Sequence, residues 1–230
     1  MTVRAHRAIQ EAEVVVGYKI YLELIGKLLA GKEVHRSGMR EEIERCRLAI
    51  GKALEGHRVA VISGGDPGVY GLAGPVLELL ALEPPGQPNL EVEIISGVTA
   101  ATAAASSLGA PLMHDFAVIS LSDLLAPWEV IEERLEAAAR ADFVTVLYNP
   151  KSHGRTEQIA RAREIFIPHR GRAAPVGIIR NCRRQGEETV ITDLGGMLDH
   201  PIDMLTTVII GNSRTYVQGG YLITPRGYRL

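Results

Sequence analysis

The sequence contains few cysteines, few aromatic residues and no long apolar segment. Its two cysteines, Cys46 and Cys182, are too few for a disulfide framework or a four-ligand zinc site. No apolar stretch approaches the ~20 residues that a membrane-spanning helix needs, and the first residues lack the apolar region of a signal peptide. Aromatic residues make up only 5% of the chain, so we do not expect a ligand pocket formed mainly by stacked rings. These absences favour a soluble cytoplasmic protein.

The chain also lacks a large excess of either charge. It has 25 Lys and Arg against 27 Asp and Glu, a net charge of −2, which argues against a nucleic-acid-binding protein. The distribution is uneven, because nine basic and two acidic residues give residues 151–184 a net charge of +7 and leave −9 for the rest of the chain. This segment could attract an acidic ligand or partner, or it could be a helix with a solvated, arginine-rich face.

Helical and strand patterns alternate along the 230 residues, which predicts an α/β fold. A break at Gly109, Ala110 and Pro111 is the expected boundary between an N-terminal domain at residues 1–110 and a C-terminal domain at residues 111–230. Predicted strands cover residues 13–17, 58–63, 92–95, 116–121, 143–148, 176–180, 188–192, 206–210 and 216–223, the last forming a terminal hairpin. Predicted helices cover residues 2–12, 18–29, 40–54, 69–80, 99–108, 127–140 and 155–166.

The most informative local feature is the segment ISGGDPGVYG at residues 62–71, where a strand runs into a glycine-rich turn and then a helix. Such a turn places a ligand at the carboxyl edge of a sheet, where glycines let the backbone approach it closely. The spacing matches neither G-x-G-x-x-G nor the phosphate-binding G-x-x-x-x-G-K-[ST]. Asp66 argues for a ligand with hydroxyls or a positive charge. A purely structural tight turn is the alternative.

A second strand, turn and helix pattern occupies residues 96–106, with the sequence SGVTAATAAAS. Its small side chains leave room for a flat ring against the start of the helix. Close packing of the helix on a sheet is the alternative, because small residues permit that contact too.

A third segment, YNPKSH at residues 148–153, follows a buried strand and so lies at another ligand edge. Tyr148 and Asn149 could hydrogen-bond a ligand, and Lys151, His153 and Arg155 could meet carboxylates.

Signatures of nucleophilic or metal chemistry are absent. The sequence has no G-x-S-x-G, C-x-x-C or H-E-x-x-H motif. Cys46 falls on the apolar face of the helix at residues 40–54, which favours a buried, inert thiol. The histidines are scattered, and only His114 and His153 lie at strand edges near other polar groups. We therefore expect no metal site.

These segments, in this order, resemble the tetrapyrrole methylase family, which transfers methyl groups from S-adenosylmethionine to porphyrinoid carbons. The family's Gly-Gly-Asp-Pro turn resembles residues 64–67, and its Pro-Gly-(Val/Ile)-Thr/Ser-Ala stretch resembles residues 96–100. A finer similarity is to the branch that methylates carbon 17 of precorrin-3B or cobalt-factor III. It rests on HDFAVISLSDLLAPWE at 114–129, LYNPKS at 147–152, VVGY at 15–18 and SGM at 37–39.

The resemblance implies a two-domain tetrapyrrole methylase-like α/β fold with a mixed sheet in each domain, a ligand cleft between them, and a homodimer. It also implies S-adenosylmethionine as the cofactor, with Asp66 holding the ribose hydroxyls or facing the sulfonium. The implied cofactor contacts are Gly64, Gly65, Asp66, Val69, Thr99, Ala100, Tyr148, Asn149 and Gly177.

The implied reaction methylates carbon 17 of an acidic tetrapyrrole and accompanies contraction of the ring, on the route to cobalamin. Because the acceptor is a carbon of an electron-rich macrocycle, no Ser or Cys nucleophile is needed. Ring contraction does need proton transfer. The candidate acids and bases are His114, Asp115, Asp123 and His153.

The sequence departs from the family at its start. Family members begin with a strand and a Gly-x-Gly-Pro-Gly loop, whereas residues 1–8 match the helix that follows that loop. A missing strand would leave an uncovered edge in the first sheet. Two hypotheses follow: the start codon was assigned internally, or the chain is shortened and poorly active.

Other functions stay open at this point. A precorrin-4 or uroporphyrinogen methylase is the alternative within the family, although residues 114–129 argue against it. A cofactor-binding protein made inactive by the missing loop is the alternative from another class. A Rossmann-type dehydrogenase is disfavoured by the glycine spacing.

Overall fold

A computed structural model of the chain describes residues 1–82, 84 and 90–229. These residues form two compact units, Met1–Thr99 and Ala100–Leu230. The chain passes from the first compact unit to the second between Thr99 and Ala100. The domain boundary predicted between residues 110 and 111 stays a prediction. Among the described residues, no helix combines the length and apolar character needed to span a membrane.

The first unit is built on a parallel three-stranded sheet in the order β2-β1-β3. Its central strand is buried because apolar valines occupy both faces of β1. All three strands end at the same edge, which therefore carries the segments that follow them. The elements are α1 (Val3–Glu11), β1 (Val14–Tyr18), α2 (Lys19–Leu24), β2 (Glu33–Ser37), α3 (Glu42–Leu54), β3 (Val59–Ile62) and α4 (Ala73–Ala81), with a short 3₁₀ helix at Gly26–Leu28.

Two strand assignments in this unit differ from the sequence prediction. The strand predicted at residues 92–95 is wrong, because residues 91–99 pair with no strand in the described part of the chain and Val92 and Ile94 are exposed. A strand persists only where a neighbour satisfies its backbone groups. Conversely, β2 was missed because Glu33–Ser37 is largely polar, yet it pairs with β1 along its whole length. The mixed sheet expected in this domain is therefore parallel in its described strands.

The second unit contains a mixed five-stranded sheet in the order β5-β6-β9-β7-β8, in which β5 and β6 pair in parallel and the other neighbouring strands pair antiparallel. A small sheet, β10-β11-β4, contains the predicted terminal hairpin. The elements are α5 (Ala100–Leu108), β4 (Gly109–Ala110), β5 (Phe116–Ser120), α6 (Trp128–Arg140), β6 (Val144–Tyr148), α7 (Gln158–Arg170), β7 (Pro175–Arg180), β8 (Glu188–Asp193), β9 (Thr206–Ile210), β10 (Tyr216–Gln218) and β11 (Tyr221–Ile223), with a 3₁₀ helix at Met197–Asp199.

Helices cover both faces of the five-stranded sheet. Helices α6 and α7 pack on one face, where Leu135 and Phe166 share a core with Leu147. Helix α5 packs on the other face, where Leu108 meets Val146 and its alanines allow close approach. The alternation of side chains along a strand thus divides β6 between two cores. The packing of α5 on this sheet also explains why the helix belongs to the second unit.

Part of the charge of the basic segment at residues 151–184 is paired with acidic residues of the second unit. Arg161 pairs with Glu132 at 3.2 Å and with Glu164 at 2.7 Å, and Arg170 pairs with Asp142 at 2.7 Å. Two arginines of helix α7 are therefore paired with acids of α6, of α7 itself and of the turn after α6. These pairs give Arg161 and Arg170 a structural role, and the expectation that the segment attracts an acidic ligand stays a prediction.

Candidate functional site

A carboxylate joins the two turns that the sequence singled out in the first unit. Oδ1 of Asp66 accepts a hydrogen bond from the Gly68 amide at 2.8 Å, and Oδ2 accepts one from the Gly97 amide at 2.8 Å. The backbones also touch, because a Cβ added at Gly97 would lie 1.9 Å from the Gly65 carbonyl oxygen. The glycine-rich turn after β3 and the turn at residues 96–97 therefore form one rigid corner.

The glycines of this corner have different roles. Gly64 is packed under a ring, since a Cβ there would lie 2.6 Å from Cζ of Tyr21. Gly65 has a φ of 74°, in the left-handed region that favours glycine, and it is exposed together with Gly68. Val69 closes the turn, because its amide donates to the Asp66 carbonyl at 3.2 Å. Gly65 and Gly68 thus leave backbone accessible to a ligand.

A buried arginine that the sequence reasoning missed organises the same sheet edge. Arg45 is 5% exposed and donates to Ser37 Oγ and to the Gly38 carbonyl, and its guanidinium lies 5.9 Å from the ring centroid of Tyr18. It thereby links the segments at residues 15–18 and 37–39. The available signal was its position four residues before buried Ala49 on one face of α3.

In the second unit, a phenol receives a hydrogen bond at the start of helix α5. The Ala101 amide donates to Tyr148 Oη at 2.6 Å, which satisfies one of the donors that a helix leaves unpaired in its first turn. Ala100 begins this helix, and Thr99 precedes it at the end of the first unit. Tyr148 therefore has a definite structural task besides its predicted ligand contact.

Replacing Tyr148 with phenylalanine should lower the free energy of unfolding by about 1 kcal/mol, because the Ala101 amide loses its acceptor while the ring still packs. Urea denaturation of both proteins measures this difference. Tyr216→Phe, at an exposed position, is the control and should change stability by less than about 0.5 kcal/mol. Equal stability of Tyr148→Phe and the parent protein would contradict the capping role.

Asn149 follows β6 in an unusual conformation. Its φ is 50°, which non-glycine residues adopt rarely and Asn more readily than most. Its Nδ2 donates to Ser120 Oγ at 2.9 Å, so the side chain is held at the carboxyl end of β5. Asn149 is therefore a fixed polar group at the predicted ligand edge.

Close packing against helix α5 explains the glycine at position 177. A Cβ at this position of β7 would lie 2.3 Å from Cδ1 of Leu108, so the glycine lets helix α5 press against the sheet. The structure thus explains this glycine without a ligand, and its predicted contact with the cofactor stays a prediction.

The four candidate acids and bases divide into two pairs. His114 and Asp115 precede β5, with 3.7 Å between Nδ1 and Oδ2, whereas Asp123 and His153 lie in loops after β5 and β6. A strand of five residues separates the pairs by roughly 15 Å. Asp123 accepts a hydrogen bond from Gln158 Nε2 at 2.8 Å. The structure therefore does not bring all four together.

Both cysteines have environments that suppress reactivity. Cys46 is fully buried and Cys182 partly so, and burial raises the pKa of each thiol. A raised pKa keeps a thiol protonated at neutral pH, and the thiolate is the reactive form. The prediction that Cys46 is buried in a helix core is confirmed.

Comparison with known proteins identifies the family of this chain. A family model described as Tetrapyrrole (Corrin/Porphyrin) Methylases matches residues 1–197, more than half of the chain. The chain belongs to this family. The family resemblance predicted from residues 64–67 and 96–100 is thereby confirmed.

Curated relatives of this tetrapyrrole methylase indicate which branch of the family it resembles. It is 52% identical over 230 residues to the "Probable cobalt-factor III C(17)-methyltransferase" of Salmonella typhimurium, covering 100% of this chain and 94% of that protein. It is 50% identical over 230 residues to the "Cobalt-factor III methyltransferase" of Priestia megaterium, covering 100% of this chain but 43% of that longer protein.

Solved structures agree on the fold. The crystal structure of the methyltransferase CobJ is 36% identical, with a TM-score of 0.90, over 98% of this chain and 93% of that one. Uroporphyrin-III C-methyl transferase from Thermus thermophilus, complexed with S-adenyl homocysteine, is 26% identical with a TM-score of 0.69, over 92% of this chain and 90% of that one. The predicted α/β fold class of the methylase is confirmed.

Proposed function

We propose that this methylase transfers a methyl group from S-adenosylmethionine to carbon 17 of cobalt-factor III or precorrin-3B, on the route to cobalamin. The observation that carries the proposal is the 52% identity across all 230 residues to a protein named for that reaction. Residues 114–129 and 147–152 had already favoured this branch over other precorrin stages. We also propose that it is a homodimer, as the family resemblance implies, and that it is located in the cytoplasm.

The residues of the first unit fit the proposed cofactor. Gly65 and Gly68 expose backbone at the carboxyl edge of the sheet, where a Cβ at either position would narrow the access. Asp66 holds this backbone in place, and each carboxylate oxygen keeps capacity for a second hydrogen bond, such as one from a ribose hydroxyl. When bound, S-adenosylmethionine supplies an electrophilic methyl group on a sulfonium.

The chain's own contribution to the reaction is positioning. A displacement at a methyl carbon depends on alignment and on exclusion of water, so it requires no protein nucleophile. The buried, protonated thiols agree with this expectation. In the second unit, Asn149 offers a fixed amide, and Asp123 and His153 are the candidate proton carriers nearest to it along the chain.

Binding and turnover assays test the proposal separately. Titration calorimetry with S-adenosylhomocysteine should give a saturable 1:1 isotherm per chain. Incubation with S-adenosylmethionine should then methylate cobalt-factor III or precorrin-3B, while uroporphyrinogen III and a precorrin-4 substrate serve as specificity controls. Turnover of a control substrate alone would reassign the stage, and cofactor binding without any turnover would favour a non-catalytic protein.

A further inference from the structure

One buried arginine connects three loops at the carboxyl end of strands β5 and β6. Arg155 is 6% exposed, and its Nη2 donates to the Asn149 carbonyl at 2.9 Å and contacts Met204 Sδ at 3.5 Å. Its Nη1 lies 3.5 Å from Ser122 Oγ. Ser122 belongs to the loop after β5, Asn149 to the loop after β6 and Met204 to the loop before β9. A single guanidinium therefore contacts all three loops and holds them together at this edge of the sheet.

The charge of Arg155 is not explained by an ion pair. Among the described residues, no carboxylate forms a salt bridge with Arg155, and its buried Nε has no hydrogen-bond partner. Burial lowers the pKa of Arg155, and the nearby charge of Asp123 only partly opposes that effect. A buried cation without a counter-ion is costly to folding, so stability alone does not account for this residue.

The contact with Asn149 gives the arginine a specific effect. The Asn149 backbone is in the left-handed region, with its carbonyl directed at Arg155 and its side chain bonded to Ser120. Without the hydrogen bond from Arg155 to the backbone carbonyl of Asn149, φ of Asn149 could relax toward the negative values that non-glycine residues prefer. The side-chain amide of Asn149 would then leave the edge of the sheet.

We propose that Arg155 is a positioning residue for methyl transfer, which acts by holding Asn149 in its ligand-facing conformation. The inference rests on the proposed function and on the predicted contact between Asn149 and the cofactor. It goes beyond them because it assigns the effect to a residue that contacts the site only through Asn149.

The variants Arg155→Lys and Arg155→Met test this role. Lysine keeps the charge but not the planar fork of donors, and methionine keeps only the stem. We expect the Kd for S-adenosylhomocysteine and the KM for S-adenosylmethionine to rise about 10-fold in the lysine variant and further in the methionine variant. Calorimetry and initial rates measure these changes, and urea denaturation measures the stability of each protein.

Arg170→Lys is the matched control. Arg170 is also deeply buried, has an unpartnered Nε and a pKa lowered by burial, but it donates to the Phe143 carbonyl at the other end of β6. It should lose stability while its Kd and KM stay within about twofold of the parent values. Equal shifts in Kd for the two lysine variants would overturn the proposal.

A double-mutant cycle with Asn149→Ser separates positioning from general damage. If Arg155 acts through Asn149, adding Arg155→Lys to Asn149→Ser should change Kd by less than about twofold, whereas additive effects would overturn the inference. Should the parent protein fail to bind S-adenosylhomocysteine, the proposed function is wrong. The crystal structure of Arg155→Met then tests the structural part of the inference by itself: a relaxed Asn149 shows that Arg155 holds it, and an unchanged Asn149–Ser120 bond overturns the inference.

Discussion

Replacing Gly97 with alanine should weaken S-adenosylhomocysteine binding by about 100-fold or more and destabilise the first unit by about 2–3 kcal/mol. The new Cβ would meet the Gly65 carbonyl oxygen at 1.9 Å and the Asp66 Cα at 3.0 Å, and both are backbone atoms that cannot rotate away. The two turns must separate, which also breaks the bond between the Gly97 amide and Asp66. Titration calorimetry and urea denaturation measure the two effects.

Gly51→Ala is the control for this substitution. Gly51 lies inside helix α3, and a Cβ there would meet nothing within 4 Å. Alanine should raise stability by about 0.5–1 kcal/mol through its better helix propensity and leave cofactor binding unchanged. If Gly97→Ala bound the cofactor as tightly as Gly51→Ala, the close contact of the two turns would have no part in binding.

Replacing Asp66 with alanine should have the second large effect. The substitution removes the acceptor of two backbone amides, in Gly68 and Gly97, and hydrogen bonds to a charged group contribute about 1.5–3 kcal/mol each. Because Asp66 is only partly buried, we expect the free energy of unfolding to fall by about 2–3 kcal/mol in total. We expect the Kd for S-adenosylhomocysteine to rise by about 50-fold or more. Asp66→Asn keeps one carbonyl oxygen, so its stability and its Kd should lie between those of the parent protein and those of Asp66→Ala.

Asp193→Ala provides a matched control for the loss of a turn carboxylate. Asp193 accepts a hydrogen bond from the Gly196 amide at 2.8 Å in the second unit. This variant should lose about 1 kcal/mol of stability without a change in Kd. A similar weakening of cofactor binding in Asp193→Ala and Asp66→Ala would show that the effect is not specific to the glycine-rich corner.

The sequence predicted the local chemistry of the corner better than its assembly. Residues 64–68 and 96–97 were each recognised as turns at a sheet edge, because glycine spacing and flanking apolar runs are local signals. Their junction through Asp66 joins residues 31 positions apart and leaves no periodic pattern. The sequence therefore suggested a ligand for Asp66, whereas the structure first assigns the carboxylate two backbone partners.

Buried arginines were the least predictable part of the site. Arg45 lies in an amphipathic helix and Arg155 in a polar loop, where basic residues are usually solvated. Their burial depends on tertiary partners such as Tyr18 and the Asn149 carbonyl, which no local pattern specifies. The same reasoning explains β2, a polar strand that only its pairing with β1 identifies.

Methyl transfer with a labelled cofactor tests the central claim most directly. The protein is incubated with S-adenosylmethionine labelled with ¹³C in its methyl group and with cobalt-factor III or precorrin-3B, and the product is analysed by mass spectrometry and ¹³C NMR. We expect a single labelled methyl group on carbon 17 of the macrocycle. A labelled methyl group on a different carbon, or no transfer to either substrate by folded protein that binds S-adenosylhomocysteine, would contradict the account.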